Sequence, residues 1–374
     1  MEAQIVISDM DSILLELQTA MFNSTITDQQ NNPPQHPSQF IHIKSWTLSD
    51  KVQNLIRRAT NEKERRKKSM ADFGRDESSM RRRDRPRFDT INAVIFVLEK
   101  MYGNVRYWRT CTRREIYYQN VGLFRNQRTV DSVVDKICRH MKLPQWELGI
   151  LCSSKGLVYG PLIIKLRSGE IIDCSAQPGG TLVPQDLPNG ASYKSNARFA
   201  LIIEKDAAFQ TILSCGNDEA LNRCLFITGK GYPDMNTRVL VKDLSTKLCL
   251  PTFAIVDCDP HGLDIFFNYK YGSMAKNYIN ESLAAPSIFW LGVHPTDLVD
   301  FGPTELLPMT AADLKKADDL MRRPYVRREY RLIEEIFAMT SRGVKCEIES
   351  ISSISCNFMS NVYIPTKISR KKFI

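Results

Sequence analysis

The chain has 374 residues, with 51 lysine and arginine residues against 42 aspartate and glutamate residues and a formal net charge of +9. This length predicts two or three domains with ample core, and the basic charge allows nucleic acid as a partner. The ten cysteines form no Cys-x-x-Cys pair, which argues against structural zinc and suits reduced thiols. No apolar stretch reaches the roughly 20 residues of a membrane span, so we expect an intracellular protein without a membrane partner.

The first 87 residues are predicted to be partly disordered. Residues 1–20 have a helix-like apolar pattern, whereas residues 22–40 are rich in Asn, Gln, Ser and Pro and cannot bury enough apolar surface to fold. Residues 51–90 contain 14 basic and 7 acidic residues, so most of the net charge lies in this basic arm. Contact with DNA, with a partner or with the nuclear import machinery is compatible with this pattern, as is a merely solvated arm.

Three helical patterns follow from residue 88 onward. Ile91–Tyr102 is largely apolar and has the length of a helix. A second helix begins at Thr112-Arg113-Arg114-Glu115, a capping box in which the threonine hydroxyl accepts from a helix amide and the glutamate reaches back. The third helix has a single apolar face, formed by Val130, Val133, Val134, Ile137 and Met141.

The segment after the third helix has the pattern of a β-hairpin. Trp146–Leu151 and Tyr159–Leu166 flank a turn at residues 153–156, which places Lys155 on that turn. Three helices followed by a hairpin is the order of elements in a winged-helix domain. We therefore predict an N-terminal winged-helix DNA-binding domain at 88–172. Residues 173–196, with their Gly/Pro-rich and charge-poor run, are predicted to be a linker.

From residue 197 to 374, short apolar strands alternate with helical patterns. The predicted strands are Phe199–Ile203, Cys224–Thr228, Phe253–Val256 and Ser287–Val293. This alternation predicts an α/β domain, a parallel sheet flanked by helices. Because this α/β domain follows a predicted winged-helix domain, the predicted fold class of the whole chain is α+β.

Acidic residues directly follow two of these strands. Glu204 ends the first strand, and Asp257 and Asp259 follow the third. Because the carboxyl ends of parallel strands meet at one rim of a sheet, we expect these carboxylates to converge. Their charges are costly unless a cation neutralises them, and Mg²⁺ prefers oxygen ligands, although a solvated Asp-x-Asp turn is the alternative. The turn at Gly229-Lys230-Gly231 ends the strand between them and suggests phosphate contact.

Several motifs occur in the order that one known family shows. They are Arg114-Glu115-Ile116-Tyr117-Tyr118, Glu204-Lys205-Asp206-Ala207, Gly229-Lys230-Gly231-Tyr232-Pro233-Asp234, Asp259-Pro260-His261-Gly262 and Tyr269-Lys270-Tyr271-Gly272-Ser273. From about residue 88 to the C-terminus the chain resembles the A subunits of type IIB DNA topoisomerases such as topoisomerase VI. It resembles even more the related meiotic transesterases that initiate recombination by breaking both DNA strands. The region from residue 197 resembles a Toprim domain.

The resemblance implies a catalytic tyrosine and a metal site. Tyr118 would attack a DNA phosphate and form a 5′-phosphotyrosyl link, with Arg114 on the same helical face pairing with that phosphate. The neighbouring Tyr117 would pack instead. The residues implied to hold Mg²⁺ are Glu204, Asp257 and Asp259. The residues implied to meet DNA are Lys155, Tyr232 and Lys230.

The resemblance also implies partners. We expect double-stranded DNA, a homodimer, a topoisomerase VI B-like subunit, meiotic accessory proteins and a nuclear location. No Gly-x-x-x-x-Gly-Lys-Ser/Thr motif occurs, so ATP handling is expected in the B-like subunit. Two alternatives remain: a Toprim nuclease that hydrolyses DNA with the same acids and no tyrosine, and a DNA-binding paralogue without activity.

Overall fold

The computed structural model describes residues 85–214, 221–302, 305–355 and 357–374, together with Ser12. Apart from Ser12, the predicted helix at residues 1–20, the Asn/Gln/Pro-rich segment at residues 22–40 and most of the basic arm therefore lie outside the described residues. The chain divides into two compact units, one that ends at Leu151 and one that begins at Cys152. Among the described helices, none combines the length and the apolar character that crossing a membrane requires.

The first unit is mainly helical. Its helices are α1 (Arg85–Arg106), α2 (Arg113–Gln119), α3 (Val121–Phe124) and α4 (Gln127–Met141), with a 3₁₀ turn at Gln145–Leu148. Two short strands, β1 (Cys111–Thr112) and β2 (Ile150–Leu151), pair in parallel. The predicted apolar face of α4 is buried at Val130, Val133, Val134 and Ile137, with Met141 partly exposed. The three helical patterns are thus confirmed.

The predicted hairpin around Lys155 is wrong. Strand β2 pairs with β1, whereas the segment after the turn, β3 (Leu157–Tyr159), pairs antiparallel with β9 (Cys224–Thr228). All of β9 is buried, so an open edge there would leave its backbone groups without partners. Strand β3, with the fully buried Val158 at its centre, supplies those partners. Lys155 therefore belongs to the second unit.

The second unit is built on a mixed sheet. Within the described residues its six strands have the order β11–β10–β8–β9–β3–β6. The remaining bounds are β6 (Thr181–Leu182), β8 (Phe199–Ile203), β10 (Thr252–Ile255) and β11 (Phe289–Gly292). The pairs β8–β9, β8–β10 and β10–β11 are parallel, and β3 and β6 add an antiparallel edge. The near-continuous apolar sequences of β8, β9 and β10 are typical of parallel strands that are covered on both faces.

A helix follows each of the three central strands, as the sequence predicts. These helices are α5 (Asp206–Ser214), α6 (Met235–Thr246) and α7 (Pro260–Lys270). The C-terminal part adds α8 (Asn280–Leu283), α9 (Asp297–Phe301), α10 (Ala311–Met321), α11 (Tyr330–Arg342), α12 (Ile348–Ser352) and α13 (Ile364–Ser369). Strands β12 (Leu307–Pro308) and β13 (Val344–Lys345) pair antiparallel.

The segment predicted as a linker, 173–196, forms strands instead. Strand β4 (Leu162–Leu166) pairs antiparallel with β5 (Ile171–Asp173) and with β7 (Ala191–Ser195). The glycines that suggested a boundary occupy turns within the unit, at Gly180 (φ 91°) and Gly190 (φ 119°). The second unit therefore begins well before the predicted residue 197.

Candidate functional site

Tyr118 lies on α2, which begins with the predicted capping box. Thr112 Oγ1 accepts a hydrogen bond from the Glu115 amide (3.2 Å), and Glu115 Oε2 accepts one from the Thr112 amide (3.0 Å). Ile116 is fully buried and fixes the inner face of the helix, whereas Tyr118 is 67% exposed. Tyr117 is partly buried, with its ring centroid 5.3 Å from that of Tyr118. The capped helix thus presents one accessible phenol.

The two arginines that open α2 have different surroundings. Arg114 is exposed and lies four residues before Tyr118, which places both on one face of the helix. Arg113 is mostly buried, and its guanidinium contacts Asp131 Oδ1 (3.4 Å) and Asp135 Oδ1 (2.5 Å) on α4. Arg113, which sequence reasoning did not single out, therefore anchors the helix. Arg114 is the exposed arginine of the two.

In the second unit, the predicted acids converge at one rim of the sheet. Strands β8 and β10 are paired neighbours, so Glu204 and Asp257, which follow them, arrive side by side. Glu204 Oε2 accepts a hydrogen bond from the Asp257 amide (2.9 Å). Asp259 caps α7 by accepting from the Gly262 amide at Oδ1 (2.6 Å). Glu204 and Asp257 are buried, and Asp259 is partly buried.

Gly262 is required for this close approach. A Cβ atom at this position would lie 2.4 Å from the Asp257 carbonyl oxygen and 3.1 Å from Glu204 Oε2. Both distances are shorter than the local backbone can accommodate without movement. Only glycine therefore lets the first turn of α7 pack against the two acids.

The acids repel one another in a setting with little solvent. Burial, with smaller contributions from the Asp257 and Asp259 carboxylates, raises the pKa of Glu204 to about 8. Burial also raises the pKa of Asp257 to about 6, although the Ile348 amide and the Lys205 ammonium act in the opposite direction. Such a cluster favours a bound cation.

Lys205 connects the acids to the C-terminal part of the unit. Its Nζ lies 3.0 Å from Asp257 Oδ2, 3.2 Å from Glu347 Oε2 and 2.9 Å from Glu349 Oε2. The Ile348 amide donates to Asp257 Oδ1 (2.9 Å). Sequence reasoning assigned Asp257 to the metal site but gave no role to Lys205 or to the segment 347–349. The position of Lys205 directly after Glu204 was a signal, but Glu349 is 144 residues further along the chain and gives none.

The three residues predicted to meet DNA lie in this same unit. Lys155 Nζ donates to the Lys230 carbonyl oxygen (3.0 Å), so these two are neighbours. Lys230 Nζ lies 3.0 Å from Asp206 Oδ2. Tyr232, which is 43% exposed, donates its hydroxyl proton to Asp264 Oδ2 (2.7 Å). The loop that carries Lys230 and Tyr232 borders the acid rim, because the Gly231 amide donates to the Glu204 carbonyl oxygen (2.9 Å).

A glutamate after one parallel strand and an Asp-x-Asp pair after its neighbour define the second unit as a Toprim domain. The family model for the Toprim domain of Spo11 and of the topoisomerase 6 A subunits matches residues 199–368. A second model, described as "Type IIB DNA topoisomerase", matches residues 89–150. One match lies within each compact unit.

Individual relatives agree with these matches. Meiotic recombination protein SPO11 of Mus musculus is 36% identical over 277 residues, covering 74% of this chain and 70% of that protein. Meiotic recombination protein W68 of Drosophila melanogaster is 33% identical over 288 residues, covering 75% and 83%. The A subunit of DNA topoisomerase 6 from Arabidopsis thaliana is 34% identical over 268 residues, covering 70% and 62%. The chain belongs to the family of SPO11 and topoisomerase VI A subunits.

Toprim domains generally bind divalent metal ions, and the residue types at this rim suit one. The converging side chains are carboxylates, which are the ligands that Mg²⁺ prefers. Burial and the neighbouring carboxylates raise the pKa of Glu204, and a cation would relieve the repulsion. Across the described ranges, no three or more His, Cys, Asp or Glu side chains are close enough together to form a complete metal site. The Lys205 ammonium instead contacts Asp257 Oδ2.

Proposed function

We propose that this protein is a topoisomerase-like transesterase that makes DNA double-strand breaks in meiosis and so initiates homologous recombination. Its relatives in mouse and fly are named meiotic recombination proteins, which supports this assignment. The observation that carries the proposal is the exposed Tyr118 on a capped, anchored helix, combined with a buried acid rim in the second unit. Folding alone does not require both.

Tyr118 is the proposed nucleophile. Its phenol oxygen loses a proton and attacks a backbone phosphorus atom, which forms a 5′-phosphotyrosyl bond and releases the 3′ oxygen of the broken strand as a hydroxyl group. Because one phosphoester replaces another, the energy of the bond is kept and the step is reversible. Arg114, on the same helical face, pairs with the phosphate as negative charge develops.

The acid rim is the proposed metal site. Glu204, Asp257 and Asp259 would hold Mg²⁺, which when bound neutralises charge on the phosphate and on the departing oxygen. Lys230 and Lys155 contact the DNA backbone beside this rim, and Tyr232 is held by Asp264 for a further DNA contact. The first unit, which carries Tyr118, is proposed to act as a DNA-binding domain.

The proposed assembly is a nuclear homodimer on double-stranded DNA. Each chain carries one Tyr118, and a double-strand break needs two nucleophiles. The Arabidopsis relative is named as part of a multi-subunit topoisomerase, which supports a B-like partner for this chain. That B-like partner would hydrolyse ATP, and meiotic accessory proteins would complete the complex.

Covalent trapping tests the proposal, with Tyr117 as a matched control. Wild type, Tyr118→Phe and Tyr117→Phe are each incubated with the B-like partner, uniformly labelled duplex and Mg²⁺, and then denatured. We expect label on wild type and Tyr117→Phe but not on Tyr118→Phe, while all three bind DNA with similar affinity. DNA that is cut without attached protein would support the Toprim nuclease instead. Absence of cutting in the complete assembly would favour an inactive paralogue.

A further inference from the structure

Lys205 contacts three carboxylates at once. Its Nζ bridges Asp257 on one side and both Glu347 and Glu349 on the other, at 2.9–3.2 Å. Lys205 is therefore in direct contact with an acid that we assign to the metal site.

Both carboxylate oxygens of Asp257 are already in use. Oδ1 accepts from the Ile348 amide, and Oδ2 contacts Lys205. The backbone donor belongs to a buried segment, whereas the lysine side chain has a flexible stem. A divalent cation and an ammonium repel each other strongly at contact distances in a partly desolvated site. A metal ion that takes Asp257 Oδ2 as a ligand therefore competes with Lys205 for that oxygen.

The structure also provides a place for Lys205 after it leaves. Glu349 Oε2 and Glu347 Oε2 already contact Nζ, and their side chains are 42% and 55% exposed. A movement of Nζ away from Asp257 Oδ2 would leave these two carboxylates as its partners. Displacement thus costs one ion pair rather than three.

We propose that Lys205 is the resident counter-cation of Asp257, which a divalent metal ion must displace, and that Glu349 holds the displaced lysine. This inference rests on the metal site of the proposed function and adds a determinant of its affinity. Lys205 is a positioning residue, because it acts through Asp257 and not on DNA. In the metal-free protein it stabilises a buried charge that would otherwise have no counter-charge.

Metal binding without DNA tests the proposal. The full chain is titrated with Mn²⁺, and the electron paramagnetic resonance signal of the unbound ion gives the affinity. Lys205→Met removes the competing ammonium, so we expect Mn²⁺ to bind about tenfold more tightly. Lys247→Met is the matched control, because it breaks the Lys247–Asp243 ion pair of the same unit, and it leaves the affinity unchanged.

A double-mutant cycle tests whether Glu349 acts by holding the displaced Lys205 or by attracting the metal ion directly through its negative charge. Glu349→Gln removes a carboxylate that holds the displaced lysine, and it weakens Mn²⁺ binding. If Glu349 acts through Lys205, the Lys205→Met/Glu349→Gln double variant binds Mn²⁺ as tightly as Lys205→Met alone. Independent, additive effects of the two substitutions would overturn the assignment of Glu349.

Thermal unfolding provides a second readout of the same displacement. Lys205→Met lowers the melting temperature of the metal-free protein, because Asp257 loses its counter-charge, and Mn²⁺ raises it by more than it does in wild type. If wild type binds Mn²⁺ and Lys205→Met binds it no more tightly, this inference is overturned while the proposed metal site stands. Absence of Mn²⁺ binding by wild type would remove the metal site itself, and the metal-dependent step of the proposed function with it.

Discussion

Two clusters of buried charge in the second unit differ in their balance of charge. In the C-terminal cluster, Lys367 Nζ lies 2.8 Å from Asp297 Oδ1, and Tyr363 donates its hydroxyl proton to Asp297 Oδ2 (2.6 Å). Here one ammonium matches one carboxylate, which suits a structural role. At the acid rim, burial and then the Asp257 carboxylate make Glu204 costly to ionise, and the lysine there is shared with two further glutamates. An excess of negative charge of this kind suits cation binding.

The balanced cluster predicts a pH dependence of stability through His294. Burial first, and then the Lys367 ammonium, lower the pKa of this imidazole from 6.5 to about 3. Between these two values the unfolded chain binds the proton and the folded chain does not, so stability falls as the pH drops through this window. Urea unfolding at about pH 7 and about pH 5 should show a smaller loss for His294→Asn than for wild type.

The matched control for that measurement is His261→Asn, since His261 is an exposed histidine of the same unit. Because His261 Nε2 lies 3.8 Å from Asp313 Oδ1, this substitution should not make the loss of stability between the two pH values smaller. An identical loss in wild type and His294→Asn would show that His294 does not cause the acid destabilisation.

At the scale of elements, local pattern was predictable and long-range pairing was not. The capping box of α2 and the apolar face of α4 depend on residues within one or two turns, and both were predicted. The acids were predicted to converge because each directly follows a strand of the same sheet. Strand β3 was misassigned because its register partner, Ile227 opposite Val158, lies in another part of the chain. The contact of Lys205 with Glu349 was missed for the same reason.

The short helix that carries Tyr118 should depend on its cap. Thr112→Ala removes the hydroxyl that accepts from the Glu115 amide, which should cost about 0.5–2 kcal/mol. Hydrogen exchange at the α2 amides should become faster by the factor that corresponds to this loss of free energy. The yield of covalently trapped DNA should also fall, because the helix holds Tyr118 less firmly. Thr211→Ala is the matched control. The hydroxyl that it removes donates to the Ala207 carbonyl oxygen within α5 and caps no helix, so hydrogen exchange in α2 should not change. Equal exchange in wild type and Thr112→Ala would exclude a role for the cap.

At the scale of the whole molecule, the two halves of the proposed chemistry lie in separate compact units. The nucleophile belongs to the unit that ends at Leu151, and the acids belong to the unit that begins at Cys152. One chain supplies one Tyr118 and one acid rim. In the proposed homodimer, the tyrosine of one protomer works with the acid rim of its partner.

Mixing two inactive variants tests this arrangement. Tyr118→Phe lacks the nucleophile, and Asp257→Asn lacks a metal ligand, so neither alone should become labelled. A mixture of the two, distinguished by a size tag, should restore covalent label on the Asp257→Asn protomer, because its intact Tyr118 uses the acid rim of the other chain. A mixture that stays unlabelled under conditions that label wild type would contradict cooperation between protomers.

The most direct measurement is mass spectrometry of the trapped complex. Cleavage after Arg114 and Arg125 releases residues 115–125, a peptide that contains both Tyr117 and Tyr118. After nuclease digestion of the DNA, fragmentation of this peptide locates the remaining nucleotide. A nucleotide on the Tyr118 oxygen is the predicted result. A nucleotide on Tyr117, or an unmodified peptide from a reaction in which DNA is cut, would contradict the central claim.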